Sequence, residues 1–213
     1  MPSHHNTLWG CTIAACAIVA AGCAPGLEDT KSLGALKSSN EGIVFAQLAY
    51  RGLPCKVGNL ALATEVSPGR FQLYKTLMMG GITVDATLSP RQISLPAGTY
   101  HIGYVACQSV ADMGHMMGVG QHDGTLVVGN PLQSLGTFTV AAGEVVNIGQ
   151  INIDPTDYLA HNATISVSNL SDVAAQRLQA GAPTLSAAAV ARPMTVTSPG
   201  QAYKIERAQI GNG

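Results

Sequence analysis

Charge is what this chain has least of. Lys and Arg number 11 and Asp and Glu 12 among 213 residues, 11% in total, against roughly 25% in an average soluble domain. The formal net charge is -1, and no Lys or Arg occurs between Gln92 and Gln176. Phosphate recognition needs clustered cations, so nucleic acid is excluded as a partner. The same stretch holds Asp112, Asp123, Glu144, Asp154, Asp157 and Asp172, a mildly acidic set that reads as solvated surface spread over several strands. Catalytic signatures are missing as well: there is no Gly-x-Ser-x-Gly, no His-Glu-x-x-His and no P-loop. Nor is the chain disordered by composition, since low charge accompanies 46% hydrophobic residues. What is plentiful is Gly, at 24, with 11 Pro. With few Glu and Lys, that composition predicts a β-rich protein with many turns. The length allows one domain, or one plus an appendage.

The one long apolar run, residues 8–21, contains no charge and is shorter than the ~20 residues of a membrane span. It fits the core of a secretory signal. It ends in Ala20-Ala21-Gly22-Cys23. Small residues before a Cys at this place resemble the lipobox of bacterial lipoproteins. The resemblance implies that the Cys23 thiol is joined to diacylglycerol, that residues 1–22 are then cut off as a signal peptide, and that the new amino group is acylated. Ala20 stands where Leu is usual, and residues 1–7 hold two His but no Lys or Arg. An ordinary cleaved signal and an uncleaved anchor are the alternatives. Cys11 and Cys16 read as small apolar members of the run. Residues 23–41 are expected to form the lipidated N-terminus and a flexible tether, with a reach of roughly 20–25 Å for its eighteen residues after Cys23. Ala24, in place of the Asp that resembles an inner-membrane retention signal, tilts the expectation towards the outer membrane, facing the periplasm.

Two cysteines remain, Cys55 and Cys107, and an even number in an exported chain suggests a disulfide. Free buried thiols are the alternative. From residue 42 the pattern is short and period-two. Strands are predicted over 43–51, 60–66, 70–77, 82–88, 93–95, 99–107, 125–128, 137–140, 145–153 and 163–168. The expected class is mainly β, a single antiparallel β-sandwich over 42–168 with one short C-terminal helix. That helix is capped by Asn169 or Ser171 and stopped by Gly181-Ala182-Pro183. Residues 169–213 hold the helix and a loose extension, in which 203–210 either pairs as an edge strand or stays mobile. Leu95-Pro96-Ala97-Gly98-Thr99-Tyr100 echoes Val140-Ala141-Ala142-Gly143-Glu144-Val145. Both read as Gly-dependent hairpin turns. The first resembles a hairpin of bacterial β-sandwich lipoprotein domains, including uncharacterised Ig-like and prealbumin-like families, which implies a fold and no activity.

One stretch stands out chemically. Met113, His115, Met116, Met117 and His122 crowd one short segment, and thioethers with imidazoles suit copper, above all Cu(I). His101 on the preceding strand is placed to approach. The competing reading, ranked first, is a glycine-rich connection with Met folded over the end of the sandwich. Asp154-Pro155-Thr156-Asp157 faintly resembles a calcium turn, and a polar turn is favoured. The leading functional reading is a non-enzymatic, lipid-anchored envelope protein with a structural or interaction role and no cofactor. Its partners would be the membrane, through the lipid, and an envelope protein. A periplasmic copper- or metal-binding protein comes second and an envelope hydrolase third.

Overall fold

The computed structural model describes residues 33–209, apart from Ile82, residues 110–114, residues 121–125 and Tyr158. Cys23, Met113 and His122 lie outside the described residues. The chain is mainly β and builds a sandwich. Strands β1 (Glu41–Tyr50), β2 (Leu53–Ser67), β3 (Arg70–Gly80), β4 (Arg91–Pro96), β5 (Gly98–Ser109) and β6 (His115–Val119) come first. They are followed by β7 (Pro131–Leu132), β8 (Gly136–Val140), β9 (Val145–Pro155) and β10 (Asn162–Ser168). Three strands close the chain: β11 (Val190–Ala191), β12 (Thr195–Val196) and β13 (Tyr203–Gln209). Four short helices accompany them: α1 (Leu33–Ser38), α2 (Val84–Leu88), α3 (Asp172–Gly181) and α4 (Pro183–Ala188).

The first layer runs β4-β1-β9, with β10 and β11 sharing the far edge of β9. In the second layer the order is β3-β2-β5, and β6 and β8 share the far edge of β5. The layers are joined on both sides. On one, β1 turns directly into β2, Tyr50 facing Leu53. On the other, β13 pairs with β10 and with β6. Alternation fills the space between: Val44, Ala46, Leu48, Leu60, Leu62, Ile102, Ile148, Ile151 and Ile153 meet in one core. The step from Ile148 to Ile151 breaks the period of two. It is made at Gly149, whose φ is 88° and where a Cβ would lie 2.4 Å from the Ser168 carbonyl.

Most pairings are antiparallel, as expected, but β1–β9 and β9–β11 are parallel. The reason is the two echoing turns, which are corners between layers and not hairpins. Residues 96–98 take the chain from β4 in the first layer to β5 in the second, and 141–144 take it back from β8 to β9. Both corners clamp the start of β1. Ala97 N–H donates to Asn40 O and Gly143 N–H to Glu41 O, each at 2.8 Å. At the second corner Gly143 has φ 75°; Gly98 at the first does not use the left-handed region. Chain delivered at this end must run alongside β1. A central strand of this kind is buried on both faces, and from Gly42 onward every residue of β1 is buried.

Each layer has an outer coat. On the first, Ile43, Phe45 and Val145 lie under Leu36, Ala174, Leu178 and Leu185 from α1, α3 and α4. Ser171 caps α3 as expected, its hydroxyl accepting from Ala174 N at 3.2 Å, with Asp172 in the first turn. On the second, Leu132 packs on Ala61, Ala63 and Leu73.

Several local expectations are corrected. The tether of 23–41 is folded in its last part, because Leu36, 1% exposed, plugs the helix coat. The loose extension after residue 182 contains α4 and three strands. Tyr203–Gln209 is not an edge: it is flanked on both sides and completes the sandwich beyond residue 168. Its neighbour segment is tied down too, with Arg192 paired to Glu144 at the second corner. The strand expected over 82–88 is helix α2 at Val84–Leu88, where the Thr87 hydroxyl lies 3.0 Å from Thr83 O and 2.9 Å from Gly81 O and serves the local chain. Residues 126–128 form no strand. Conversely β6 lies in the segment read as a glycine-rich connection. Cys55 and Cys107 are joined, with Sγ–Sγ at 2.03 Å and a sequence separation of 52. Closing a loop of that length stabilises by about 4 kcal/mol in the chain-entropy account.

Candidate functional site

Strand alternation decides what His115, Met116 and Met117 can do together. On β6, Met117 and Val119 point into the core, whereas Met116 and Gly118 turn to the outer face. Met117 is buried opposite Cys107. Met116 instead receives the Asn59 side-chain amide at 3.7 Å. Two adjacent thioethers that leave by opposite faces cannot close on one ion. His115 is half-buried at the end of the strand, opposite Gln209. His101 does not approach them. It lies on the outer face of the second layer, its ring 4.2 Å from that of Phe71. Among the described residues no three His, Cys, Asp or Glu side chains are grouped to hold a metal. Gly118 has a packing role: a Cβ there would fall 2.0 Å from the Tyr104 hydroxyl. That phenol is pushed up to about 12 by burial, with Glu206 adding to the effect.

Sequence reasoning missed a sulfur row inside the core. Met79 faces Gly58, Gly58 faces Cys107 and Cys107 faces Met117 across four neighbouring strands. As a disulfide, Cys107 offers no thiolate to a soft ion, so the row acts as packing around the cross-link.

It also missed a Ser–His contact, because its members are 33 residues apart. His101 Nδ1 lies 3.1 Å from Ser134 Oγ, which lies 3.1 Å from Thr197 Oγ1 and donates to Gly136 O at 3.3 Å. Burial holds the imidazole below its ordinary pKa, and the charge of Glu65 opposes that. Glu65 itself accepts from Gly69 N at 2.7 Å and serves its own turn. Ser134 is buried and anchors the segment leading into β8. The arrangement fastens that segment to the sheet.

The carboxylates of the 154–157 turn are similarly engaged. Asp157 accepts backbone N–H groups of His161 and Asn162 at 3.1 Å, which holds its pKa down. Asp154 accepts from Ser166 at 2.5 Å. This is the polar turn expected.

A last cluster, also unseen in the sequence, lies on the outer face of the first layer. Gln47 on β1 is 3% exposed and donates to Leu88 O at 3.2 Å. Its register neighbour Gln150 donates to Asn152 Oδ1 at 2.8 Å, and Asn152 donates to Ser168 Oγ at 3.2 Å. The Oε1 atoms of both glutamines have no hydrogen-bond partner among the described residues. Beside Gln47 is a pocket of about 10 Å³ lined by Thr87, Ser89 and Arg91, room for about one water molecule.

No family model matches the chain, and neither a curated protein nor a solved structure matches it.

Proposed function

We propose that this protein is a lipid-anchored cell-envelope β-sandwich lipoprotein with a non-enzymatic, structural or interaction role, held through Cys23 on the periplasmic face of a bacterial outer membrane. The observation that carries the reading is Ala20-Ala21-Gly22-Cys23 at the end of an uncharged apolar run. The engaged state of the polar groups described above supports the non-enzymatic part: His101 and Ser134 fasten a segment, Asp157 caps a turn and Asp154 accepts from Ser166 on the neighbouring strand. α1 starts at Leu33, so roughly ten residues separate it from Cys23, and ten residues span at most ~35 Å. Under this reading the end of the sandwich that holds α1 and both corners faces the bilayer.

The test is metabolic labelling with a radiolabelled fatty acid, on the wild type and Cys23→Ser. The wild type should carry label and fractionate with membranes, and Cys23→Ser should lose the label and accumulate as unprocessed precursor. A wild-type product that is cleaved, unlabelled and water-soluble would overturn the proposal in favour of an ordinary signal peptide.

A further inference from the structure

The two layers end differently on the side where β1 turns into β2. In the first layer the last strand is β4, six residues long and closed by Pro96, a residue that natural sheets use to blunt an edge. In the second it is β3, eleven residues long. Its inner side pairs with β2 throughout. Among the described residues its outer side is paired at the start, where Phe71 faces Leu132, Gln72 faces Pro131, and Leu73 exchanges 2.8 Å backbone bonds with Gly129 and Asn130. Along residues 74–79 no backbone group on that side meets a partner among the described residues.

Register identifies the groups that face out. Ala63 and Ala61 share a parity on β2, and their partners are Leu73 and Thr76, with a bulge between. Leu73 turns its backbone outward, so Thr76 does too, and Met78 follows by alternation. A row of N–H and C=O groups at this spacing is satisfied by one kind of ligand, an extended backbone. Six residues make a strand of ordinary length. Charge narrows the choice. β3 carries Arg70 and Lys75 and no carboxylate, and Lys75 is exposed beside Tyr74, Thr76 and Met78, the last 67% exposed. Opposite charges across neighbouring strands are stabilising, so a segment that carries carboxylates suits Lys75.

We propose that residues 74–79 are a docking edge for an extended, acidic segment of another protein, which adds to the second layer as a further strand, its carboxylates beside Lys75 and an apolar side chain on Met78. This deepens the interaction role proposed above. It is tested separately from the lipid anchor.

The probe is an end-capped synthetic peptide of alternating Val and Thr with Glu at every fourth position, compared with the same peptide carrying Lys in place of Glu. It is added to the full-length protein in detergent, and amide hydrogen exchange is followed by mass spectrometry. The acidic peptide should slow exchange across 74–79, and the basic peptide should bind about fivefold more weakly or worse, as one opposed like-charge pair implies. Lys75→Glu should invert that preference. Thr76→Pro removes an outward N–H and should abolish protection; Lys75→Glu carries the test if that variant fails to fold. Protection elsewhere, no protection at 74–79, or equal binding of both peptides would overturn the proposal. So would a dimer of the free protein that buries these amides, which would give the edge to a second copy. None of these outcomes bears on fatty-acid labelling at Cys23.

Discussion

The outer faces of the two layers are finished by different means. Three helices coat the first, and Phe45, Ile43, Leu178 and Leu185 make a second small core there. On the second lies a strap whose main contribution is Leu132, and its pairing with β3 stops at Leu73. The second layer instead has a covalent staple, since Cys55 on β2 is joined to Cys107 on β5. The contrast teaches that one sandwich can be braced by burial on one side and by a cross-link on the other. On that lightly coated side, residues 74–79 of β3 meet no further backbone partner among the described residues.

Removing a large side chain from the heavier coat should have the largest effect. Phe45 is fully buried between β1 and the helices, so Phe45→Ala should cost about 3–5 kcal/mol, read from urea unfolding. A loss under about 1 kcal/mol would mean that the helices ride on the sheet without bracing it. Next comes the staple. Replacing Cys55 and Cys107 together by Ala should destabilise by about 2–4 kcal/mol, with the same loss in wild type unfolded under reducing conditions. Equal stability with and without reductant would remove the cross-link from the comparison.

The smallest effect belongs to His101, which fastens the strap to the second layer. Burial depresses its pKa in the folded chain, so folding favours the neutral ring. That contribution is complete above the unfolded value of about 6.5 and is lost as pH falls below it, because the unfolded chain takes up the proton first. The melting temperature of the wild type should therefore fall more steeply below about pH 6.5 than that of His101→Asn. Parallel slopes for the two would show that the strap is not pH-sensitive through this ring.

Much of this fold is legible in short stretches. The alternation of β5, the Ser171 cap with Asp172 behind it, and the Gly-rich turns all depend on residues within a few positions of one another. β6 was hidden because Gly118 and Gly120 weaken a strand signal, and Gly118 is there to seat Tyr104, a residue on another strand. In α1 a single buried side chain, Leu36, holds a six-residue helix too short to declare itself by periodicity. The His101–Ser134 contact joins residues 33 positions apart, and Gln47 meets Gln150 only through the pairing of β1 with β9, so no spacing announces either.

By itself the sequence determined the mainly β class, most of the turn positions, the one substantial helix and the presence of two cysteines in the folded part, because propensity, period and capping act locally. It also carries the signal-like ending at Cys23 on which the proposed anchor rests. Tertiary structure alone decided that the echoing turns are corners between layers, that β1 and β9 run parallel, and that Tyr203–Gln209 closes the sandwich. It decided too that β4 ends at Pro96 while residues 74–79 of β3 meet no outer backbone partner among the described residues. Each of these depends on which distant segment arrives beside a strand, and the pattern along one strand constrains its faces but not its neighbours.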